Sequence, residues 1–408
     1  EELTMKVLII GGGASGMMAA LSALENPENT VTLLERQSRV GKKLLATGNG
    51  RCNLANRDIR LTHYHGAQPD FARFALESFY VGRTLAFFER LGLLTVTEES
   101  GKVYPLSDQA SSVLDVLRFS MQARGANVVT SCDVVEVRHK ARGFEAVSAT
   151  GETYFGDKLI VACGGAAGKK LGGSRSGYHL LSQLGHTCTE ILPSLTQIKT
   201  DTAYVKALKG VRADAHVRLR KDGVTVQESF GEVQFTDFGL SGPEAFSLSR
   251  AAATGGEGQE LALDFFREYG EGVLLDMLQE KRMDLPELAA EELFAGMLPS
   301  RLGKMIVKRA GLKYQSKLLD LTDEQLLSCV KLSKWFSLEV TGVMGFESAQ
   351  VTAGGVLTSE FDARTLESRL NPGLFVCGEV LDIDGDCGGY NLQWAWSSGY
   401  LAGKLGED

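Results

Sequence analysis

The pattern of apolar and polar residues along the chain predicts an opening β-turn-α-β unit. Residues 6–10 (KVLII) form a continuous apolar run, which is typical of a buried parallel strand. Residues 15–25 carry a helical pattern, and residues 30–35 (TVTLLE) form a second buried strand. The same strand pattern returns at 158–163 (KLIVAC) and at 373–379 (GLFVCGE). This order predicts an α/β fold with a doubly wound sheet assembled from both ends of the chain.

The middle of the chain changes to a different pattern from about residue 194. Apolar and polar residues alternate there, as they do in the antiparallel strands of a barrel or sandwich, at 195–199, 211–220, 224–235 and 259–265. Residues 271–333 are rich in helical patterns, and strand patterns return near 336–357. Helices are also predicted over 69–92 and 391–404.

These changes of pattern predict an insertion within one nucleotide-binding domain. We assign residues 1–193 and 347–408 to that domain. Residues 194–270 are predicted to form an inserted barrel-like substrate domain, and residues 271–346 an inserted helical subdomain.

Composition narrows the class of protein further. The net charge of −8 argues against a protein whose whole surface binds nucleic acid. The 7 cysteines are scattered without a C-x-x-C, and the 6 histidines lack metal-ligand spacing, so we predict reduced thiols and no metal. Residues 7–24 carry no charge, but three consecutive glycines at 11–13 interrupt them, which argues against a membrane span. We therefore expect a cytoplasmic protein.

A nucleotide-binding fingerprint follows the first strand. Gly11, Gly13 and Gly16 give the spacing G-x-G-x-x-G between a strand and a helix, where the helix N-terminus stabilises a pyrophosphate. Glu35 ends the second strand, where a carboxylate accepts hydrogen bonds from ribose hydroxyls. The fingerprint by itself does not distinguish FAD from NAD. The predicted contacts of this turn are Gly11, Gly13, Ala14, Ser15, Gly16, Glu35 and Arg36.

Two further segments favour a flavin over a nicotinamide cofactor. Residues 41–53 (GKKLLATGNGRCN) combine glycine, asparagine and cations, which suits a phosphate or a flat ring, although composition alone also fits a solvated loop. Residues 378–399 contain a glycine-rich turn followed by a helix that begins near Asn391. The dipole of this second helix stabilises negative charge on a reduced flavin. A site built from both ends of the chain suits FAD, which is a long molecule.

Several motifs resemble those of the BaiN/RdsA-type NAD(P)/FAD-dependent oxidoreductases, which include the aminoacetone-oxidase-like flavoproteins. They are GGGASG (11–16), TGNGRCN (47–53), LIVACGG (159–165), GEVQFTDFGLSGP (231–243), VTAGGV (351–356) and GEVLDIDGDCGGYNLQWAWSSG (378–399), and they span nearly the whole chain in order. The resemblance implies a Rossmann-like FAD-binding domain interrupted by a β-barrel-like piece and a helical piece. Residues 172–177 (GGSRSG) lack the acid expected in that family turn, so the resemblance leaves a contact there open.

The resemblance also implies which residues contact FAD. Val134 is expected to meet adenine through its backbone. The other implied or adjoining contacts are Gly11, Gly13, Gly16, Glu35, Lys43, Thr47, Gly48, Asn49, Arg51, Asn53, Gly378, Glu379, Gly389, Tyr390, Asn391 and Leu392.

Three activities are implied by the resemblance. The first is reduction of a conjugated C=C, as in a 3-oxo-Δ4 steroid or bile-acid intermediate, by hydride transfer from flavin N5. The second is reduction of uridine to dihydrouridine in ribosomal RNA, and the third is oxidation of a small amine by O2. Three residues are candidates to donate the proton or to polarise the substrate carbonyl: Tyr390, Arg51 and Asp386. Each of them also fits a purely structural role. Because no second G-x-G-x-x-G is present, NAD(P)H is expected to dock transiently.

The substrate stays open between a small hydrophobic enone and ribosomal RNA, with the enone as our first prediction. Residues 301–317 carry six cations and no acid, and Arg301, Lys304 and Lys308 share a helical face. Such a face is consistent either with binding to the phosphates of RNA or with a helix face that is only exposed to solvent. The remaining alternative is a protein that binds FAD but catalyses no reaction. The sequence does not predict the oligomeric state.

Overall fold

The computed structural model describes residues 4–407, which divide into two compact units. Unit 1 comprises residues 4–192 and 350–407, and unit 2 comprises residues 193–349. Among the described residues, no helix is both long and apolar enough to cross a membrane.

The first part of unit 1 alternates strands and helices. Its strands are β1 (Lys6–Ile10), β2 (Thr30–Leu34), β3 (Ala55–Asn56), β4 (Tyr64–His65), β5 (Thr95–Thr97), β6 (Lys102–Pro105), β7 (Asn127–Val129), β8 (Val134–His139), β9 (Phe144–Ser148), β10 (Thr153–Gly156) and β11 (Lys158–Val161). Its helices are α1 (Ala14–Ala23), α2 (Arg73–Ser78), α3 (Val81–Arg90), α4 (Ala110–Ala123) and α5 (Ser176–Gln183).

The chain enters unit 2 through β12 (Leu192–Ser194) and later returns to unit 1. Unit 2 contains β13 (Ile198–Thr200), β14 (Arg212–Lys221), β15 (Val224–Phe235), β16 (Gly239–Ser241), α6 (Pro243–Thr254), β17 (Gln259–Asp264), α7 (Glu271–Asp284), α8 (Ser300–Arg309), α9 (Asp323–Lys334) and β18 (Phe336–Val343). The last part of unit 1 contains β19 (Val351–Ala353), β20 (Leu374–Val376), β21 (Asp384–Gly385) and α10 (Tyr390–Gly403).

Unit 1 is organised by a five-stranded sheet in the order β20-β11-β1-β2-β7. All of its neighbouring strands are parallel, with Ile9 opposite Ile160 on one side and Leu33 on the other. The central strands are buried on both faces, which explains their continuous apolar runs. Because parallel strands end at the same edge, the loops after β1, β2, β11 and β20 meet there, and ligands bind at this edge in such folds.

Unit 2 is built on a closed barrel in the order β13-β16-β15-β14-β17-β18. Its strands are antiparallel, and their inward residues join the helices in one apolar core that includes Leu219, Leu261 and Phe336. The fold class predicted from the sequence, a parallel nucleotide-binding sheet with an inserted barrel, is therefore confirmed. The barrel takes its last strand, β18, from within the range 271–346 that the sequence pattern assigned to the helical subdomain.

The predicted helical region 69–92 is interrupted in the structure. A short 3-10 turn and α2 end at Ser78, and α3 begins at Val81, because Phe79 leaves the helical conformation. The carbonyl oxygen of Phe79 instead accepts hydrogen bonds from the side chains of Gln393 and Ser397 on α10. The break is thus bonded to a helix more than 300 residues away in the sequence.

Candidate functional site

The turn that joins β1 to α1 has the geometry of a dinucleotide-binding loop. A Cβ atom at Gly16 would collide with the carbonyl oxygen of Gly11, so this glycine allows helix and strand to pack closely. Gly13 differs, because no atom of the described residues lies within 4 Å of the Cβ position that its backbone defines. The helix α1 has no side-chain N-cap and no acid in its first turn, which includes Ala14, Ser15 and Gly16. Its first N–H groups are therefore not capped by a side chain, and groups of this kind bind phosphates.

Glu35 lies immediately after β2, beside this turn. Its carboxylate accepts hydrogen bonds from the backbone N–H of Gly12, at 2.7 Å, and of Gln37, at 2.6 Å. The carbonyl oxygen of Glu35 accepts a hydrogen bond from the N–H of Cys132, which brings the start of β8 and Val134 toward this region. Glu35 is thus held rigidly and keeps further lone pairs for hydroxyl groups.

The 41–53 loop and the end of β20 are joined by an ion pair. Lys43 Nζ lies 2.9 Å from Glu379 Oε2, and the other carboxylate oxygen of Glu379 accepts a hydrogen bond from the N–H of Thr352 at 2.7 Å. Gly378 adjoins Ser15, because a Cβ at Gly378 would meet the Ser15 side chain. Residues from the two ends of the chain therefore lie side by side at the sheet edge.

Tight backbone turns shape the rest of the 41–53 loop. Thr47 Oγ1 donates a hydrogen bond to the carbonyl of Leu44 at 2.6 Å, and Gly48 and Asn49 both adopt left-handed conformations with φ of 56°. Asn53 Oδ1 is buried without a hydrogen-bond partner among the described residues. Such an atom is costly unless a ligand or water meets it.

A second helix N-terminus lies against Asn53. Gly389 precedes α10 in a left-handed conformation, and a Cβ there would lie 2.9 Å from Asn53 Oδ1. No side chain caps α10, and its first turn carries no acid. The side chain of Asn391 closes the preceding turn through hydrogen bonds with the N–H and carbonyl of Gly385, at 2.8 and 2.7 Å. Leu392 follows in the same first turn.

Tyr390, the first residue of α10, is buried between two other rings. The ring of His63 stacks on it with centroids 4.3 Å apart and planes 21° from parallel. Tyr64 meets it edge to face and donates a hydrogen bond to the Tyr390 carbonyl at 3.0 Å. Burial, with the nearby carboxylates Asp58 and Asp386, raises the pKa of Tyr390 to about 12. Its hydroxyl is therefore protonated at neutral pH.

Asp386 is held by two histidines that the sequence patterns did not single out. Its carboxylate lies 2.9 Å from His63 Nδ1 and 2.6 Å from His65 Nε2. Burial favours a higher pKa for Asp386, but the hydrogen bonds from His65 and His63 outweigh it and lower that pKa. The H-x-H spacing is a signal that sequence reasoning missed. No group of described residues is arranged to hold a metal ion.

Arg51 and Arg36, both predicted to contact the cofactor, instead contact other residues of the protein in the structure. Arg51 bonds Asp108 at 2.5 Å and Glu98 at 3.1 Å, and its guanidinium lies 4.0 Å from the ring centroid of Tyr104. Arg36 donates to the carbonyl of Gly172 at 2.9 Å on an exposed surface. Each arginine would therefore have to release its present partners before it could contact a phosphate, the flavin or the substrate.

Several of the other predicted residues provide features that suit FAD. Two uncapped helix N-termini, the open space at Gly13 and the unpartnered oxygen of Asn53 provide donors, room and an acceptor along one edge of unit 1. We propose that Gly13, Glu35, Lys43, Asn53 and Asn391 contact the cofactor from this edge.

The parallel sheet with its glycine turn defines a dinucleotide-binding fold of the Rossmann type. The family model described as the HI0933-like protein Rossmann domain matches residues 5–405, and the chain belongs to this HI0933-like (BaiN/RdsA) family. It is an FAD-dependent oxidoreductase, and the resemblance inferred from its motifs is confirmed.

Two curated relatives match nearly the whole chain. The 3-dehydro-bile acid delta(4,6)-reductase of Clostridium scindens is 38% identical over 407 residues, which cover 99% of each chain. The ribosomal RNA dihydrouridine synthase of Escherichia coli is 29% identical and covers 97% of this chain and 96% of its own. Among solved structures, an open flavocytochrome c3 fumarate reductase covers 100% of this chain and 79% of its own, with 16% identity and a TM-score of 0.46.

Proposed function

We propose that this flavoprotein uses NAD(P)H to reduce the conjugated C=C of a small apolar enone, such as a 3-oxo-Δ4 steroid or bile-acid intermediate. The observation that carries the proposal is Tyr390, a buried phenol that stays protonated at the N-terminus of α10. The higher identity to the bile-acid reductase, 38% against 29% for the RNA enzyme, supports the substrate class.

Reduction of an enone requires a hydride at the β-carbon and a proton. Reduced FAD, when bound, supplies the hydride from N5. The chain itself must orient the carbonyl, exclude water and donate the proton. The Tyr390 hydroxyl is the donor that we assign, and Asp386 keeps its surroundings ordered through the histidines. NAD(P)H is proposed to dock transiently, since the chain has no second G-x-G-x-x-G.

The basic residues between 301 and 317 supported RNA as the alternative substrate, but most are engaged within unit 2. Their partners are carbonyls of Ala207 and Lys209 for Arg301, Glu291 and Glu292 for Lys304, the Tyr204 ring for Arg309 and Glu287 for Lys317. A cation that is already paired releases fewer counterions from RNA. These contacts therefore favour the enone over RNA.

Charge reversal at two exposed lysines distinguishes an enone substrate from an RNA substrate. Lys308 and Lys313 form no salt bridge with any described residue, so Lys308→Glu with Lys313→Glu does not break an internal pair. We expect turnover of an enone to stay within about twofold of the unaltered protein, because surface substitutions of this kind change little. If RNA is the substrate, its affinity should instead fall more than about tenfold at low salt.

Anaerobic reoxidation tests the proposed function directly. The protein is reduced with NADH or NADPH, and its flavin absorbance is followed after a 3-oxo-Δ4,6 bile acid or unmodified ribosomal RNA is added. Rapid reoxidation by the steroid alone supports the proposal. Reoxidation by RNA alone, with dihydrouridine formed, overturns it in favour of the RNA enzyme. If neither substrate reoxidises the flavin, but a small amine reduces the oxidised protein and O2 admitted afterwards reoxidises it, the proposal is overturned in favour of an oxidase.

A further inference from the structure

His63 and His65 form a local cluster with Asp386 beside the proposed proton donor. The short strand β4 pairs antiparallel with β21, so that His65 lies opposite Asp384 and Tyr64 opposite Gly385. His63 ends the 3-10 turn that precedes β4, His65 lies in β4, and both rings reach the carboxylate of Asp386. The N–H of Asp386 also donates to the His63 carbonyl at 2.9 Å, which ties the backbones together.

The shared carboxylate determines which nitrogen of each ring carries a proton. An ionised carboxylate only accepts, so His63 donates from Nδ1 and His65 donates from Nε2. The other nitrogen of His63, Nε2, is buried and has no hydrogen-bond partner among the described residues. It lies 3.5 Å from an oxygen of Asp58, which is too long for a strong hydrogen bond. His63 Nε2 is therefore the nitrogen that gains or loses a proton, beside a carboxylate that stabilises the cation.

The charge of His63 acts directly on Tyr390. The two rings are stacked, so a protonated His63 places a cation over the face of the phenol, where it stabilises negative charge that develops on the phenol oxygen. Asp58 is itself bonded to Arg60 at 2.6 Å, which offsets its charge. The titratable and charged groups around the stacked pair are Asp58, Arg60, Tyr64, His65, Asp386 and Cys387.

We propose that His63, held by Asp386, is a positioning residue that orients Tyr390 and couples proton donation by the Tyr390 hydroxyl to pH. This inference rests on the proposed enone reduction. In that step the β-carbon receives the hydride, the Tyr390 O–H bond breaks, and its proton passes to the enolate formed from the substrate. The electron pair stays on the phenolate oxygen, which regains a proton from solvent. The sum is enone, NAD(P)H and one proton giving saturated ketone and NAD(P)⁺.

The test compares two variants of His63 with a matched histidine elsewhere in unit 1. His63→Phe keeps a ring against Tyr390 without a titratable nitrogen, and His63→Asn keeps an N–H for Asp386. His139, which stacks on Phe144 with centroids 4.6 Å apart, supplies the control variant His139→Phe. Each reduced protein is reoxidised by a 3-oxo-Δ4 steroid across a pH series. Ferricyanide, which needs no proton donor, is the control acceptor.

In the unaltered protein and in His139→Phe, kcat is expected to fall as pH rises, because the cation stacked on Tyr390 is lost. Both His63 variants should lose this pH dependence and fall about tenfold in kcat at low pH, since the stacked cation is gone. The KM for the steroid, the FAD content and the rate with ferricyanide should stay unchanged. If either folded variant retains the pH dependence, the inference is overturned.

The imidazole itself provides a readout that needs no substrate. NMR titration of the His63 ring, identified by its loss in His63→Asn, should shift when Asp386 is replaced by Asn, because the cation loses its carboxylate. An unchanged titration would overturn the assigned coupling. A protein that no enone reoxidises would instead contradict the proposed function, so the two failures are distinguishable.

Discussion

Replacement of Gly13 by alanine is expected to abolish most FAD binding while the apoprotein remains folded. Gly13 has φ of −83°, which alanine adopts without strain, and within residues 4–407 no atom lies less than 4 Å from the added Cβ. The methyl group would occupy the space that the pyrophosphate must approach, so we expect affinity for FAD to fall at least about tenfold. Titration of the apoprotein with FAD, followed by fluorescence, measures this loss, and thermal unfolding measures the fold.

Gly16→Ala provides the matched comparison within the same turn. Its Cβ would collide with the Gly11 carbonyl, so the Tm of the apoprotein itself should decrease. Unaltered FAD affinity in a folded Gly13→Ala protein would mean that the pyrophosphate does not approach this turn.

Replacement of Tyr390 by phenylalanine is expected to slow the reoxidation of the reduced protein by an enone about a hundredfold or more, which is the usual loss of a general acid. The stacked ring is kept and only the hydroxyl is removed, so FAD content and reduction by NAD(P)H should not change. Because the pKa of Tyr390 is raised to about 12, its own ionisation should not limit the rate near neutral pH. Stopped-flow absorbance of the flavin measures the two half-reactions separately.

Tyr400→Phe is the control for this second prediction. Tyr400 lies on the same helix, stacks on Phe79 with centroids 4.2 Å apart, and donates its hydroxyl to Glu25. We expect it to alter stability slightly and the rate of reoxidation not at all. Equal rates for Tyr390→Phe and the unaltered protein would remove Tyr390 from the role of proton donor.

Local sequence was sufficient for the features that depend on neighbours along the chain. Apolar runs predicted β1 and β2 because a strand buried on both faces needs apolar residues at successive positions. The G-x-G-x-x-G spacing predicted the turn because only glycine avoids the collision at Gly16. Alternation likewise predicted β14 and β15 of the barrel. Long motifs, compared with known families, identified an FAD-dependent oxidoreductase.

Tertiary structure alone decided which side chains meet across long stretches of chain. His63 and Asp386 are 323 positions apart, and only the pairing of β4 with β21 brings them together. Arg51 has acidic neighbours in space that no local pattern indicates, so its charge is directed away from the predicted role.

The same distinction applies to the barrel and to the basic segment. The barrel closes with β18, which follows three helices, because closure depends on hydrogen bonds to β13 and β17 rather than on position along the chain. Lys304 looked available in the sequence, but the fold places Glu291 and Glu292 against it. The sequence by itself determined the fold class, because apolar spacing and turn geometry are local, and its long motifs identified the family and FAD through their resemblance to known flavoproteins. The partners of each charged side chain required the fold, because electrostatic contacts act through space.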